Sequence, residues 1–365
     1  MTVICFVKAV PVSRHQGNVF LHAALNEYIS CLSCLIHTVG LAMKFVACAE
    51  RGHHLCFASS VLLSREGRGK KKTAMPNATL SPKPLAFAAL LFGAAAIAFA
   101  PILVRLSDVS PTASAFWRMA LAAPVLWLWV AASERNVAPA SNGQWKLLTI
   151  AGLFFAADLG AWHWSITFTS VANATLELNL APIFVTIGAW LLFRQRVSKL
   201  FLFALLVTLA GAALLIGPNV GATGRALLGD GLGVLAGLFY ACYMLAIKSA
   251  SSNVSTARIM AVSTTVAAMV LAPYALLTAE NFMPQSANGW LILAGMALLV
   301  HVLGQSLIAY GFSHLPASFS SVSLLMQPVL ATVYAWALLG ETVGGMQFFG
   351  GAIVLLGIYL AKRGS

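Results

Sequence analysis

The segment from Val171 to Ile216 recurs 146 residues later, from Ala317 to Lys362, and no other feature of the chain restricts its fold as much. Superposing the two pairs Leu178 with Leu324, Pro182 with Pro328, Thr186 with Thr332, Trp190 with Trp336 and Gly211 with Gly357. Each copy is an apolar span with a proline near its middle, a short polar break, and a second apolar span containing glycine. Such a duplication is the mark of a membrane bundle built from two structural repeats. Weaker echoes at an offset of 144, Gly93 with Gly237 and Thr112 with Thr256, extend the repeat towards the N-terminal side of each copy.

Composition agrees. The 365 residues are 60% hydrophobic and 9% charged, with a mean hydropathy of +0.87, too little charge to cover a water-soluble fold of this size. The excess of 22 Lys and Arg over 10 Asp and Glu falls between apolar spans rather than along one face, which argues against a nucleic-acid partner. Five of the six cysteines precede residue 60, so no disulfide framework is implied. The single Cys31-x-x-Cys34 pair, with His37, His53 and His54 nearby, lacks the second spaced pair of a zinc site, and no metal or other cofactor is expected.

Residues 1–74 differ from the rest. They carry the basic run Arg65, Arg68, Lys70, Lys71, Lys72 and no period that predicts strand or helix; the stretch from Ile29 to Ala49 is apolar enough to raise an extra transmembrane span, but His37, Gly40 and Lys44 interrupt it. The reading is an N-terminal extension that is disordered or not translated, with synthesis starting at Met75. From Pro84 onward, apolar spans predict ten membrane-crossing helices at about 84–104, 113–132, 147–167, 172–193, 199–217, 228–248, 258–279, 290–310, 317–339 and 343–361, each near the ~20 residues that a bilayer core requires. The expected fold is thus an all-α integral membrane protein with two five-helix repeats, 84–217 and 228–361.

An odd number of spans per repeat inverts the second relative to the first. With the segment before the first crossing in the cytoplasm, the inside holds Lys83, Arg135, Lys146, Arg194, Arg196, Lys199, Lys248, Arg258, Lys362 and Arg363, and the outside only Arg105 and Arg225. That asymmetry places both termini in the cytoplasm. The turn Arg194-Gln195-Arg196 becomes Gly340-Glu341-Thr342 in the second repeat, a loss of positive charge that fits the inversion.

Pro182 and Pro328, the Ala-Trp-Leu-Leu run at 189–192, the Ala-Trp-Ala-Leu-Leu-Gly-Glu run at 335–341, Arg118 within Phe-Trp-Arg-Met, and Gly304-Gln305-Ser306-Leu307 together resemble EamA-type permeases of the drug/metabolite transporter superfamily. The resemblance covers about residues 84–361. It implies a secondary carrier of the bacterial inner membrane, with a substrate cavity between the two halves. Glu177 stands where the resemblance leads one to expect a small or apolar residue.

Two levels of polar residues are candidates for transport. Proline within a helix frees the carbonyl four residues earlier, here those of Leu178 and Leu324, at matching depths; this is either a cargo site or a structural kink satisfied by neighbouring helices. Ionisable groups in lipid cost roughly 2.5–3.5 kcal/mol each on permissive scales, so each needs a reason. Asp158 and His301 share the mid-membrane depth, and His301 and Gln305 share a helix face. They are read as facing the cavity, with Asp158 or His301 exchanging a proton or sensing substrate charge; the alternative is a buried pair that only joins helices. Arg118, His163 and Glu177 lie nearer the outer boundary, where Arg118 and Glu177 neutralise one another as an ion pair or form a gate. Trp162, Trp164, Trp190 and Trp336 are read as interface anchors or packing groups rather than substrate stackers.

No nucleotide-binding loop of the form G-x-x-x-x-G-K-[ST] occurs, nor H-E-x-x-H, nor G-x-S-x-G. The functional expectation is a secondary-active transporter, not an enzyme, moving small metabolites or amphiphiles by alternating access, proton-linked and outward. An uptake or exchange carrier for a polar metabolite and an intramembrane lipid-modifying enzyme are the alternatives. The partners expected are a small-molecule substrate, protons and the lipid bilayer; a homodimer is allowed.

Overall fold

A computed structural model describes residues 20–50, 82–134, 140–169, 171–216, 224–340 and 342–365. Among the described residues every regular element is helical. In chain order these are α1 (Phe20–Glu50), α2 (Pro82–Ile97), α3 (Ala100–Leu106), α4 (Pro111–Ser133), α5 (Asn142–Phe168), α6 (Val171–Leu178), α7 (Ala181–Phe193) and α8 (Lys199–Ile216). There follow α9 (Gly224–Ala250), α10 (Thr256–Thr278), α11 (Ala287–Gly295), a π-helical segment Met296–Gln305, α12 (Ser306–His314), α13 (Ala317–Ser323), α14 (Met326–Leu339) and α15 (Gly345–Gly364).

Nine of the ten expected crossings appear as helices long and apolar enough to span a bilayer, and the expected crossing at 199–217 is the shorter apolar helix Lys199–Leu215. Large side chains on their outer faces stay uncovered, among them Phe92, Leu128 and Leu277, as a lipid-facing surface requires.

The two fifth crossings show how the repeats are related. Along α8 the residues Phe201, Thr208, Gly211 and Leu215 meet Gly364, Gly357, Val354 and Gly350 of α15. The partner number falls as the residue number rises, so the helices run antiparallel. Since Gly211 and Gly357 are repeat equivalents, and so are Thr208 and Val354, the contacts Gly211–Val354 and Thr208–Gly357 are the same contact made twice. Reciprocity of this kind is what a two-fold axis produces, and antiparallel equivalents mean inverted repeats.

The remaining pairings obey the same axis. The second crossings, α4 and α10, pack together, with the Trp117 indole N–H donating to the Phe282 carbonyl at 2.9 Å and the Trp127 indole N–H to the Thr265 hydroxyl at 2.9 Å. At the far end of this pair Glu134 engages Arg258 and Ser255. The third crossing of the first repeat, α5, packs on the first of the second, α9, and the first of the first repeat, α2, packs on the third of the second, the π segment with α12.

One expectation is corrected. No helix was predicted within residues 1–74, yet α1 is helical from Phe20, and Ser33–Glu50 is itself apolar and long enough to cross a bilayer. Its buried residues Leu35, Val39 and Val46 lie on one stripe against the π segment, while His37 and Lys44 point away from it. Polar residues that interrupt a run in sequence are, on a 3.6-residue period, simply its other face. The Phe45 ring meets Tyr310 edge-on at 6.5 Å, and the Glu50 carboxylate accepts the Thr256 N–H at 2.9 Å at the start of α10. Met75, the basic run from Arg65 to Lys72, His53, His54, Arg135 and Glu341 lie outside the described residues.

Close approach of α8 and α15 depends on their glycines. A Cβ at Gly211 would lie 2.7 Å from the Val354 backbone nitrogen, whereas one at Gly160 would meet nothing within 4 Å. Gly211→Ala and Gly357→Ala are expected to destabilise the protein by ~1–3 kcal/mol through overpacking, and Gly160→Ala to be neutral or slightly stabilising. Unfolding midpoints in detergent check this; equal midpoints for the Gly211 and Gly160 variants would contradict the packing argument.

Candidate functional site

Three crossings are interrupted, and all three interruptions open on one cavity. The breaks fall at 98–99 between α2 and α3, at 179–180 between α6 and α7, and at 324–325 between α13 and α14. Each is followed within a few residues by a proline, Pro101, Pro182 or Pro328, whose missing N–H ends the ladder. The cavity has a volume of ≈ 220 Å³ and takes its walls from both repeats, including all three prolines. Irregular backbone at membrane depth is tolerated where it is buried in protein or lines a cavity.

The second and third breaks are repeat equivalents and are built alike. The Thr186 hydroxyl donates to the Pro182 carbonyl at 2.7 Å and the Thr332 hydroxyl to the Pro328 carbonyl at 2.9 Å. The helices that follow both end on a left-handed residue, Arg194 at φ 52° and Gly340 at φ 69°. The Leu324 carbonyl, expected to be free, is not: it accepts the Gln327 N–H at 2.9 Å. A tight i→i+3 turn has replaced the bond that Pro328 removed. The break at 98–99 was not anticipated; the first span is apolar throughout and shows no repeat partner for Pro101.

Of the residues singled out in the sequence, Asp158, His301, Gln305, Arg118, His163, Pro182 and Pro328 line this cavity. Glu177 does not. It lies on α6 against Gly233 of α9, beside Asp230, so it is not the partner of Arg118. A depth estimated from helix rise does not say which way a side chain points around its helix. Trp162, read as an anchor or packing group, also lines the cavity; Trp164, Trp190 and Trp336 are exposed on the outer surface.

The polar groups differ in how they are held. His163 is tied to its own helix, its Nδ1–H donating to the Leu159 carbonyl at 2.6 Å. His301, 1% exposed, shares a 2.7 Å hydrogen bond between Nε2 and the Thr264 hydroxyl. Its ring stacks on Phe155 at 5.6 Å, and Phe155 stacks in turn on Tyr243 at 4.4 Å. Phe155 and His301 are repeat equivalents, so their contact places them at the two-fold axis. Tyr240 and Tyr243 of α9 lie near Gln305; sequence reasoning passed over them, although two tyrosines in the middle of an apolar span were a signal.

Arg118 and Asp158 are the charged pair of the site. They attract one another, but among the described residues no ion pair joins them, and no hydrogen bond holds the Asp158 carboxyl. Buried N–H groups also lack an acceptor in the protein: Arg118 Nε, Trp162 Nε1, Gln305 Nε2 and Gln327 Nε2. His301 and Gln305 project from the π-helical segment, a distortion that recurs at functional sites. Among the described residues no group of three or more His, Cys, Asp or Glu side chains converges to hold a metal.

The Thr264–His301 bond can be tested by itself. Thr264→Val keeps the shape and leaves the imidazole nitrogen buried and unpaired, with an expected loss of ~1–3 kcal/mol. Adding His301→Phe, the residue at the equivalent place in the first repeat, should recover most of that loss. Melting of the single and double variants in detergent decides, and a double variant less stable than Thr264→Val would count against the assignment.

Comparison with known proteins follows the same outline. The EamA-like transporter family matches twice, at residues 83–217 and 227–363. An uncharacterised transporter of Archaeoglobus fulgidus is 23% identical over 266 residues, 71% of this chain and 90% of the relative. A pseudopaline exporter of Pseudomonas aeruginosa is 23% identical over 254 residues, 68% of this chain and 84% of the relative. A riboflavin transporter of Vibrio cholerae is 27% identical over 219 residues, 59% of this chain and 70% of the relative. A solved crystal structure superposes with a TM-score of 0.67 at 17% identity, covering 77% of this chain and 97% of that one, which shows a shared fold. With two matched repeats spanning the helical body, the chain belongs to the EamA-like transporter family and is a multi-pass membrane transporter.

Proposed function

We propose that the protein is a secondary-active carrier of the bacterial inner membrane, exporting a small metabolite or amphiphile by alternating access in exchange for protons, with both termini cytoplasmic. The observation that carries this reading is the cavity itself. It is lined from both repeats, the three broken helices meet on it, and it holds an acidic side chain without a protein partner. In carriers built from inverted repeats, cargo and coupling ions bind where broken helices meet near the bilayer midplane, and rocking of one repeat against the other exposes that place to each side in turn.

Asp158 is the group suited to coupling. A proton or a cationic part of the cargo can neutralise it, and competition between the two links the flows. A carboxylate that is 4% exposed and unpaired is costly while charged, so the empty carrier is driven to take up one or the other before it turns. The outward direction draws support from the named exporter among the relatives. At 23–27% identity, the cargoes for which the relatives are named do not identify this protein's own.

Two experiments test the proposal. In proteoliposomes carrying a pH gradient, Asp158→Asn should abolish gradient-driven accumulation, and any residual counterflow should lose its pH dependence; unchanged gradient-driven transport would remove Asp158 from coupling. For orientation, Arg196→Cys and Thr342→Cys, each in a cysteine-free background, should react with a membrane-impermeant maleimide from the cytoplasmic and the outer face respectively. Reversed accessibility would invert the topology.

A further inference from the structure

The eighth crossing is one residue longer than its counterpart in the first repeat. That counterpart, α5, is an uninterrupted α-helix of 27 residues. The eighth crossing runs from Ala287 to His314, 28 residues, with the π-helical segment in its middle. The two begin alike, each on a serine that accepts the N–H three residues on: Ser141 from Gln144 and Ser286 from Gly289, at an offset of 145. They also end alike, the Thr169 N–H donating to the Ser165 carbonyl and the Leu315 N–H to the Gly311 carbonyl, but at an offset of 146. The extra residue therefore lies inside the crossing.

A residue added to a helix either turns everything beyond it by about 100° or is absorbed as a wider turn. Here it is absorbed. Ahead of the π segment Trp290 is 39% exposed and its counterpart Trp145 40%, and Leu293 and Leu148 are both fully buried. Within it, His301 still meets its counterpart Phe155. Gly304 gives the wider turn its room: a Cβ there would lie 2.8 Å from the Ile97 side chain and 3.2 Å from that of Ala96 on α2.

The cavity wall shows what this winding does. From α5 it takes Phe155, Asp158, Leu159, Trp162 and His163, the spacing of three and four that marks one α-helical face. From the eighth crossing it takes Met296, Val300, His301 and Gln305, a spacing of four and five. At about 100° per residue an α-helix would set Met296 and Val300 on one side and His301 and Gln305 on the other. The i→i+5 winding returns all four to one side.

We infer that the extra residue of the eighth crossing is a positioning device for the cavity: it keeps the segment π-helical, and so holds the apolar Met296 and Val300 on the same wall as His301 and Gln305. In α5, which lacks the residue, the counterpart of Met296 is Ala151, buried and not part of the wall. The functional meaning rests on the reading of this cavity as the cargo site; the winding itself does not.

Single cysteines in a cysteine-free, full-length background test it, read in detergent by their reaction with a small water-soluble methanethiosulfonate. Met296→Cys and Gln305→Cys should both react about tenfold or more faster than Leu303→Cys, since thiol reaction follows access; an α-helical course would bring position 303 to the side of Met296 and turn position 305 away. Replacing residues 296–300 by Ala-Gly-Leu-Phe, the run at 151–154, restores the length of α5. In that shortened protein Gln305→Cys should stay reactive, which is the control for folding, while a cysteine as the first residue of the new run should be about tenfold or more slower than Met296→Cys in the parent. Any other order among the three full-length cysteines overturns the inference, and so does a shortened protein whose cysteine at the place of Met296 reacts as before. Should the shortened protein fail to fold, the three full-length cysteines still decide. Both readings are made without cargo, so absence of transport in proteoliposomes would remove the carrier reading and leave the winding untouched.

Discussion

Inside a bilayer each main-chain N–H and C=O must find its partner within the protein, and a helix can stop and restart at that depth only where other protein groups take over. This constraint shapes the whole bundle. The unbroken crossings α4, α5, α9 and α10 carry apolar outer faces to lipid, while the three interrupted ones bring their breaks to a single cavity. At Pro328 the short turn from Gln327 back to Leu324 replaces the lost ladder bond, and at Pro182 and Pro328 alike a threonine hydroxyl one turn on, Thr186 or Thr332, adds a second bond to the proline carbonyl. The cavity is therefore a consequence of satisfying the backbone as much as a container for a ligand.

Symmetry supplies the frame and its violation supplies the chemistry. At the fifth crossings the contact of Gly211 with Val354 recurs across the two-fold axis as that of Gly357 with Thr208, because close packing through glycine depends on shape. The polar groups of the cavity do not repeat. Asp158 corresponds to Gly304, Gln305 to Leu159, Gln327 to Ala181, and His301 to the phenyl ring of Phe155 on which it stacks. A symmetric bundle with identical halves would present each face with the same groups. Here the first repeat contributes both charges and the second the amide donors.

The repeat, the ten spans and the breaks at Pro182 and Pro328 were legible in the sequence because each leaves a signal along the chain: period, length, or the lone residue without an N–H. Direction around a helix leaves a weaker trace in an apolar span, since no polar face marks it. Glu177 was placed at the depth of Arg118, yet α6 turns it towards Gly233. Asp158, His301 and Gln305 were brought together in the sequence by shared depth and repeat alignment. The π-helical segment Met296–Gln305 has no composition that distinguishes it from the apolar helix around it, and Pro101 has no counterpart in the second repeat that would have drawn attention to a third break. In α1 the opposite error arose: polar residues on the free face were taken as interruptions of a span.

The separation of Arg118 from Asp158 follows from how their helices are held. α4 packs chiefly on α10, and α5 on α9 and α10, so the second repeat fixes the position of each, while α4 and α5 share little contact with one another. Were the two helices packed directly, the opposite charges would close into an ion pair and discharge the site. Held apart, each carries a desolvation cost that a direct pair would in part have offset.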